Sequence, residues 1–370
     1  MLYDLPNSLP VWANSISAAI EEPPQEIKES GWVADDRPPA EWLNWWQNSV
    51  HSWAACLYEL STMWATNLVD QTPSNAVDFV GVATDGNLII LLETNRYIQY
   101  TYDCINYTRF DLTGNDTALT SIEFGDGKWA ITTAKVSGNL YYSTNPTASW
   151  TKVSKGSDLR FYSIKYADGY WVVSARNEAD TTGYIMFATS LTGTFGATHE
   201  TSDTFRTVCH GGGYWVVSGY DGVLLYKLGT PVGTFTEVAI GSANIFGLEY
   251  GLVDGVGRWI CSNANNGIYT ADVPSGTWTQ RTSAAVSGSY LLDIAYGFGL
   301  FFITCSGFTG PSQTHTLQYS RDCITWKLLG HKANTYGYYA AKYCIDRFVF
   351  AGDSGIITTS LKHGNFTNSL

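Results

Sequence analysis

Apolar positions between residues 80 and 365 recur in short alternating runs, as in FYSIKY, YWVVSA and YIMFAT, which is the period of strands and not of helices. A polar turn, often Asp-Gly, followed by an aromatic and a β-branched run returns seven times: DGNLII (85–90), DGKWAI (126–131), DGYWVV (168–173), GGYWVV (212–217), GVGRWI (255–260), GFGLFF (297–302) and IDRFVF (345–350). Aligned on Leu88, Trp129, Trp171, Trp215, Trp259, Phe301 and Phe348, the copies are separated by 41, 42, 44, 44, 42 and 47 residues. A second aromatic follows in each unit: Tyr107, Trp150, Phe195, Phe235, Trp278, Trp326 and Phe366. QYTYDCINYTRF and QYSRDCITWKLL carry Asp-Cys-Ile at the same offset 219 residues apart, five steps of this ruler.

Four short strands repeated every 40 to 45 residues are the mark of a propeller blade. The prediction is an all-β chain, a seven-bladed β-propeller preceded by an N-terminal extended segment and one long α-helix. Second strands begin near the seven aligned residues, and Trp129, Trp171, Trp215 and Trp259 fill the wedges between blades. The final unit is expected to supply NFTNSL as its last strand, closing the ring by blade packing without a shared strand. Aligning first strands on Val82, Ile122, Ile164, Val208, Leu248, Ile294 and Ala341 brings Ala83, Glu123, Lys165, Cys209, Glu249, Ala295 and Lys342 to one position near the axis. Two glutamates and two lysines there predict a hydrated ring of ion pairs in preference to an acid/base dyad.

The first seventy residues do not share the repeat, so the domains are 1–70 and 71–370. Pro38-Pro39 after Asp35 and Asp36 reads as a helix start, with a helix over about 39–64. Its apolar stripe, Trp42, Trp46, Val50, Trp53, Leu57, Leu60 and Trp64, has steps of 4, 4, 3, 4, 3 and 4. This near-heptad seam suits packing against another helix, with docking onto the chain's own propeller or onto Trp12 and Trp32 as the alternative.

With 33 acidic against 21 basic residues the 370-residue chain has a formal net charge of −12. That field repels phosphate, and no Lys/Arg cluster opposes it, so nucleic acid is excluded as a partner. No run of eighteen apolar residues and no signal peptide is present, which predicts a soluble chain made in a cytosol without membrane insertion. Seven cysteines without a C-x-x-C pair point to reduced, buried thiols, Cys104 and Cys323 included. No P-loop, nucleophile elbow, dinucleotide fingerprint or metal-ligand spacing occurs, so no catalytic, cofactor or metal site is predicted.

Two resemblances add to this reading. The turn Ser320 to Trp326 resembles a shortened Asp-box of sialidase-like propellers, and STNPTASW (143–150) matches its length with Asn145 in the acidic place. The resemblance implies a structural role for Asp103, Asn145 and Asp322, with the two aspartates accepting backbone hydrogen bonds. Sialidase-like hydrolases clamp a carboxylate with three arginines; among the ten arginines here only Arg160 and Arg206 lie near the starts of first strands. A glycosidase is therefore the lesser alternative, and the chain is read as no enzyme. PVWA, then SGW, then RPPAEWLNWW resembles the N-terminal segment of tail fibres and related tail proteins of tailed bacteriophages, on Trp12, Ala13, Gly31, Trp32, Pro38, Pro39, Asn44, Trp45 and Trp46. That resemblance implies attachment to the virion through residues 1–70, assembly in the host cytoplasm, and other phage tail proteins, or further copies of the chain, as partners. The propeller is then expected to recognise a glycan or protein of the host surface, with a purely architectural adaptor or decoration as the alternative.

Overall fold

The computed structural model describes residues 68–71, 77–112, 118–135, 138–156, 158–179, 181–201, 204–285, 289–306, 316–330 and 337–361. They form seven antiparallel four-stranded sheets, which makes the chain an all-β seven-bladed propeller. The helix expected over 39–64 and its Trp42 to Trp64 stripe lie outside the described residues, as do Trp12, Trp32, Asn44 and Trp45.

Numbering blades from Phe79, the innermost strands are Phe79–Thr84, Leu119–Gly125, Leu159–Ala167, Phe205–Gly211, Ile245–Val253, Tyr290–Gly297 and Tyr338–Cys344. Each turns directly into the second strand: Ile89–Glu93, Lys128–Thr133, Tyr170–Asn177, Tyr214–Gly219, Val256–Asn263, Leu300–Ser306 and Arg347–Gly352. The recurring Asp-Gly is explained by this turn. Asp126-Gly127, Asp168-Gly169 and Asp254-Gly255 all have positive φ at both residues, the conformation whose twist matches two right-twisted strands.

The four aligned tryptophans are at most 2% exposed. Each meets, in a tilted arrangement, the ring near the end of its own inner strand: Phe124 on Trp129 at 5.0 Å between ring centres, Tyr166 on Trp171 at 4.8 Å, His210 on Trp215 at 4.6 Å and Tyr250 on Trp259 at 5.2 Å. Tyr296 on Phe301 and Tyr343 on Phe348 continue the series. The same inner-strand rings lie over a glycine of the preceding blade, Tyr166 over Gly125, Tyr250 over Gly211, Tyr296 over Gly251 and Tyr343 over Gly297. One aromatic thus packs against two blades at once, and this is how a sheet with two apolar faces is buried by its neighbours.

The ring closes differently from the expectation. The outer place of the seventh sheet is held by Leu68–Gln71, antiparallel to Ile357–Ser360 with Leu68 opposite Ser360 and Gln71 opposite Ile357. NFTNSL therefore does not supply that strand, and the ring is closed by a strand shared between its two ends. Asp70 accepts a hydrogen bond from Thr358 Oγ1 at 2.9 Å, and Gln71 Nε2 donates to Thr359 Oγ1 at 3.3 Å. The physical reason is that residues 357–360, buried to 1% exposure or less, would otherwise present an unpaired edge at the seam. The division at residue 70 runs through this closing strand.

The two Asp-Cys-Ile turns have one geometry. Asp103 Oδ1 accepts the N–H groups of Ile105 and Asn106, each at 2.8 Å, and Asp322 Oδ1 those of Ile324 and Thr325, also at 2.8 Å. The hydroxyls of Thr101 and Ser320 accept the N–H of Cys104 and Cys323 at 2.9 Å, holding those buried cysteines at φ near +60°. Asn145 works otherwise: its side-chain oxygen accepts from the Thr147 hydroxyl at 3.1 Å, and its backbone carbonyl takes the N–H of Ala148 and Ser149. Burial pushes the Asp322 carboxyl up, but the N–H groups of Thr325 and Ile324 outweigh it and leave the pKa below the ordinary value. Asp322→Ala is expected to lower stability by on the order of 1 kcal/mol at pH 7, tempered by solvent at this exposed turn. A folded pKa below the unfolded one means the stabilisation is present above pH 4 and fades as pH falls further; urea unfolding of both proteins at pH 7 and pH 3 checks it.

Candidate binding site at the axial channel

Every inner strand carries a β-bulge at the same place, between Phe79 and Gly81, Leu119 and Ser121, Phe161 and Ser163, Phe205 and Val208, Ile245 and Gly247, Leu291 and Ile294, and Tyr338 and Ala340. A bulge inserts one residue into the pleat and re-aims a side chain that strict alternation would send into the core. The displaced residues are Val80, Thr120, Tyr162, Arg206, Phe246, Leu292 and Tyr339, and all seven line one axial cavity of about 210 Å³. They form its mouth, at the N-terminal ends of the inner strands. The next residue along stitches blade to blade: Ser121 Oγ accepts the Ile164 N–H at 3.3 Å, Ser163 Oγ the Val208 N–H at 3.2 Å, and Asp293 Oδ2 the Ala341 N–H at 2.8 Å.

The charged ring expected from the first-strand alignment lies deeper in the same cavity, where Glu123, Lys165, Cys209, Glu249 and Lys342 face one another across the axis. Ala83 and Ala295 are buried at their equivalent positions. Lys165 Nζ and Glu123 Oε1 are 2.9 Å apart. Burial opposes charge on Lys165, yet the carboxylates of Glu123 and Glu249 hold its pKa above the ordinary lysine value. Glu249 Oε1 accepts the N–H of Tyr250 at 2.9 Å. Burial, followed by the charge of Glu249, pushes the Cys209 thiol up, which favours its protonated form.

Asp293 was missed by the sequence reading. Burial pushes its pKa up to about 6 against the pull of the Ala341 and Ile294 N–H groups and of Lys342. For an acid whose folded pKa lies above the unfolded one, the folded state binds the extra proton, so stability falls as pH rises from about 4 to about 6 and is level beyond. Asp293→Asn is expected to abolish that decline, read as a melting temperature that no longer drops across this interval; an unchanged pH profile would remove Asp293 as its origin.

At the mouth, Arg206 is held among three rings, its guanidinium carbon 5.4 Å from the centre of Tyr162, 4.9 Å from Tyr220 and 5.7 Å from Phe246. One Nη donates to the Tyr220 hydroxyl. Arg160, the other arginine considered from the sequence, is paired with Glu178 at 3.2 Å. The structure thus separates the two, one at the mouth and one in an ion pair. The signal for the mouth ring was available in the sequence: an arginine stands where alternation calls for a core residue.

The opposite face is different. There His210 Nε2 lies 3.1 Å from Asp168 Oδ2, and burial lowers the His210 pKa. Of the twelve exposed large apolar side chains among the described residues, ten lie in or beside hairpins of this face, among them Ile105, Leu228, Val256, Phe298, Ile324 and Ile345. No group of three or more potential metal ligands occurs among the described residues, and no described helix is long and apolar enough to cross a membrane.

Solved structures share this architecture at low identity. Virginiamycin B lyase from Staphylococcus aureus, in a catalytically inactive form with Quinupristin, aligns with a TM-score of 0.66 at 11% identity over 80% of this chain and 99% of its own. A streptogramin B lyase gives 0.66 at 12% identity over 80% and 97%. YCF48 bound to a D1 peptide gives 0.62 at 14% identity over 80% and 94%. At these identities the likeness is one of fold. No protein-family model and no curated protein matches the sequence.

Proposed function

We propose that the protein is a non-catalytic structural protein of a tailed-bacteriophage tail, attached to the virion through its N-terminal segment and using the propeller for recognition of the host surface. The observation that carries the binding reading is the division of the ring into two unlike faces. One opens into a cavity whose mouth is seven side chains of six kinds on a repeated frame, the arrangement in which rigid scaffolds carry recognition residues. The other concentrates exposed apolar side chains, as a surface covered in an assembly does. Deeper in the cavity Glu123 is paired with Lys165, and Asp293 is bonded to the backbone of the next blade, an arrangement of structural support more than of proton transfer. The phage assignment rests on the resemblance of PVWA, SGW and RPPAEWLNWW to tail-protein attachment segments.

The test is made on purified particles and on the full-length protein. The chain is expected among the tail proteins by mass spectrometry, and the free protein is expected to compete with particles for adsorption to host cells. Its absence from particles overturns the virion assignment. Presence without competition turns the reading to an architectural adaptor or decoration, and turnover of host capsular polysaccharide by the free protein overturns the non-catalytic reading.

A further inference from the structure

We propose that the channel mouth and the groove beside it, between blades 5 and 6, form one site for an acidic saccharide, with Arg206 receiving the sugar carboxylate. The proposal deepens the reading of the propeller as a binding module and rests on it. The groove has a volume of about 570 Å³ and shares Phe246 and Leu292 with the mouth, so the two cavities have a common wall.

The case starts from what Arg206 lacks. Arg96, Arg109, Arg160, Arg176, Arg258 and Arg347 each lie within ion-pair distance of a carboxylate. Arg281 is bonded instead to Thr270 Oγ1 at 2.9 Å. Arg206 pairs with no carboxylate among the described residues, and its buried Nε–H, like those of Arg160, Arg176 and Arg258, has no hydrogen-bond partner. A guanidinium that pairs with no described carboxylate, although Glu123, Glu249 and Asp293 line the same cavity, and that is fixed among Tyr162, Tyr220 and Phe246, is preorganised for an anion from outside. Its planar fork matches a carboxylate, and the surrounding rings strengthen the bond by excluding water. A single cation suits one carboxylate per sugar, whereas a polyphosphate would meet the net charge of −12.

The groove specifies the rest of the ligand. Ser242, Asn244, Asn265 and Ser306 supply hydroxyls and amides beside the rings of Phe246 and Tyr290, a lining suited to a hydroxyl-rich molecule with apolar ring faces. A peptide added as a strand would need free backbone groups, and at the mouth the N–H groups of Ile164, Val208 and Ala341 are already taken by Ser121, Ser163 and Asp293.

Calorimetry on the full-length protein decides, with a tetrasaccharide of alternating glucuronate and N-acetylglucosamine, its carboxyl-reduced counterpart, and an acidic peptide of equal charge. The acidic sugar is expected to bind about tenfold to a hundredfold more tightly than the reduced one. Arg206→Met should erase that preference, Arg206→Lys should retain part of it, and Asn265→Ala should weaken both sugars equally. Absence of binding by the acidic sugar, equal affinity for both sugars, or a preference that survives Arg206→Met overturns the proposal, as does tighter binding of the peptide at the same site. Adsorption competition without any such acid dependence would leave the recognition reading standing and sink this one; acid-dependent binding without competition would do the reverse.

Discussion

A chain beginning at residue 72 is expected to melt on the order of 10 °C below one beginning at residue 66, because only the second retains Leu68–Gln71. Four register pairs and the side-chain bonds from Asp70 and Gln71 close the seventh sheet. At about 1 kcal/mol net for each hydrogen bond, losing them costs about 3–5 kcal/mol, and the buried edge of residues 357–360 becomes exposed. Both shortened chains lack the first 65 residues, so the difference reports the closing strand alone. Coincident melting curves would show that the ring holds without it.

Gly251→Ala is expected to cost about 2–3 kcal/mol, a loss read from the urea midpoint. A Cβ at Gly251 would collide with the Tyr296 ring and the tip of Phe301, both enclosed by two blades. Neither ring can retreat, since Phe301 is fully buried and the Tyr296 hydroxyl is bonded to the Leu252 carbonyl at 3.0 Å. Gly196→Ala, where an added Cβ meets nothing within 4 Å, is the control and should be neutral. Equal effects at the two positions would refute the account of blade-to-blade packing.

The parts of this architecture that repeat as like side chains could be read from the sequence; the bulge, which repeats in the backbone under unlike side chains, and the closing strand, which occurs once, could not. Trp129, Trp171, Trp215 and Trp259 recur because every blade needs the same wedge, and the turns before them recur because every hairpin needs the same twist. Glu123 and Lys165 were placed on the axis because a regular strand keeps its alternation over the residues after the bulge. The bulge itself breaks that alternation, so strand period alone does not mark Tyr162, Phe246 and Tyr339 as mouth residues, and Arg206 is the visible sign of the mouth in the sequence. Leu68–Gln71 has four residues, a mixed polar pattern and no counterpart in the chain, and nothing in LVDQ announces a partner near residue 360.

That closing strand also sets an order of events in time. Asp70 and Thr358 are separated by 288 residues, so the first strand of the ring leaves the ribosome long before its partner exists. At ordinary rates of synthesis the interval is on the order of fifteen seconds to a minute. During it six blades can form in sequence, each against the one just made, while Leu68–Gln71 waits unpaired. The last hairpin of the ring to emerge then has to meet the ring's oldest strand, and a nascent chain captured before that meeting offers its open edge to any neighbour on the same message.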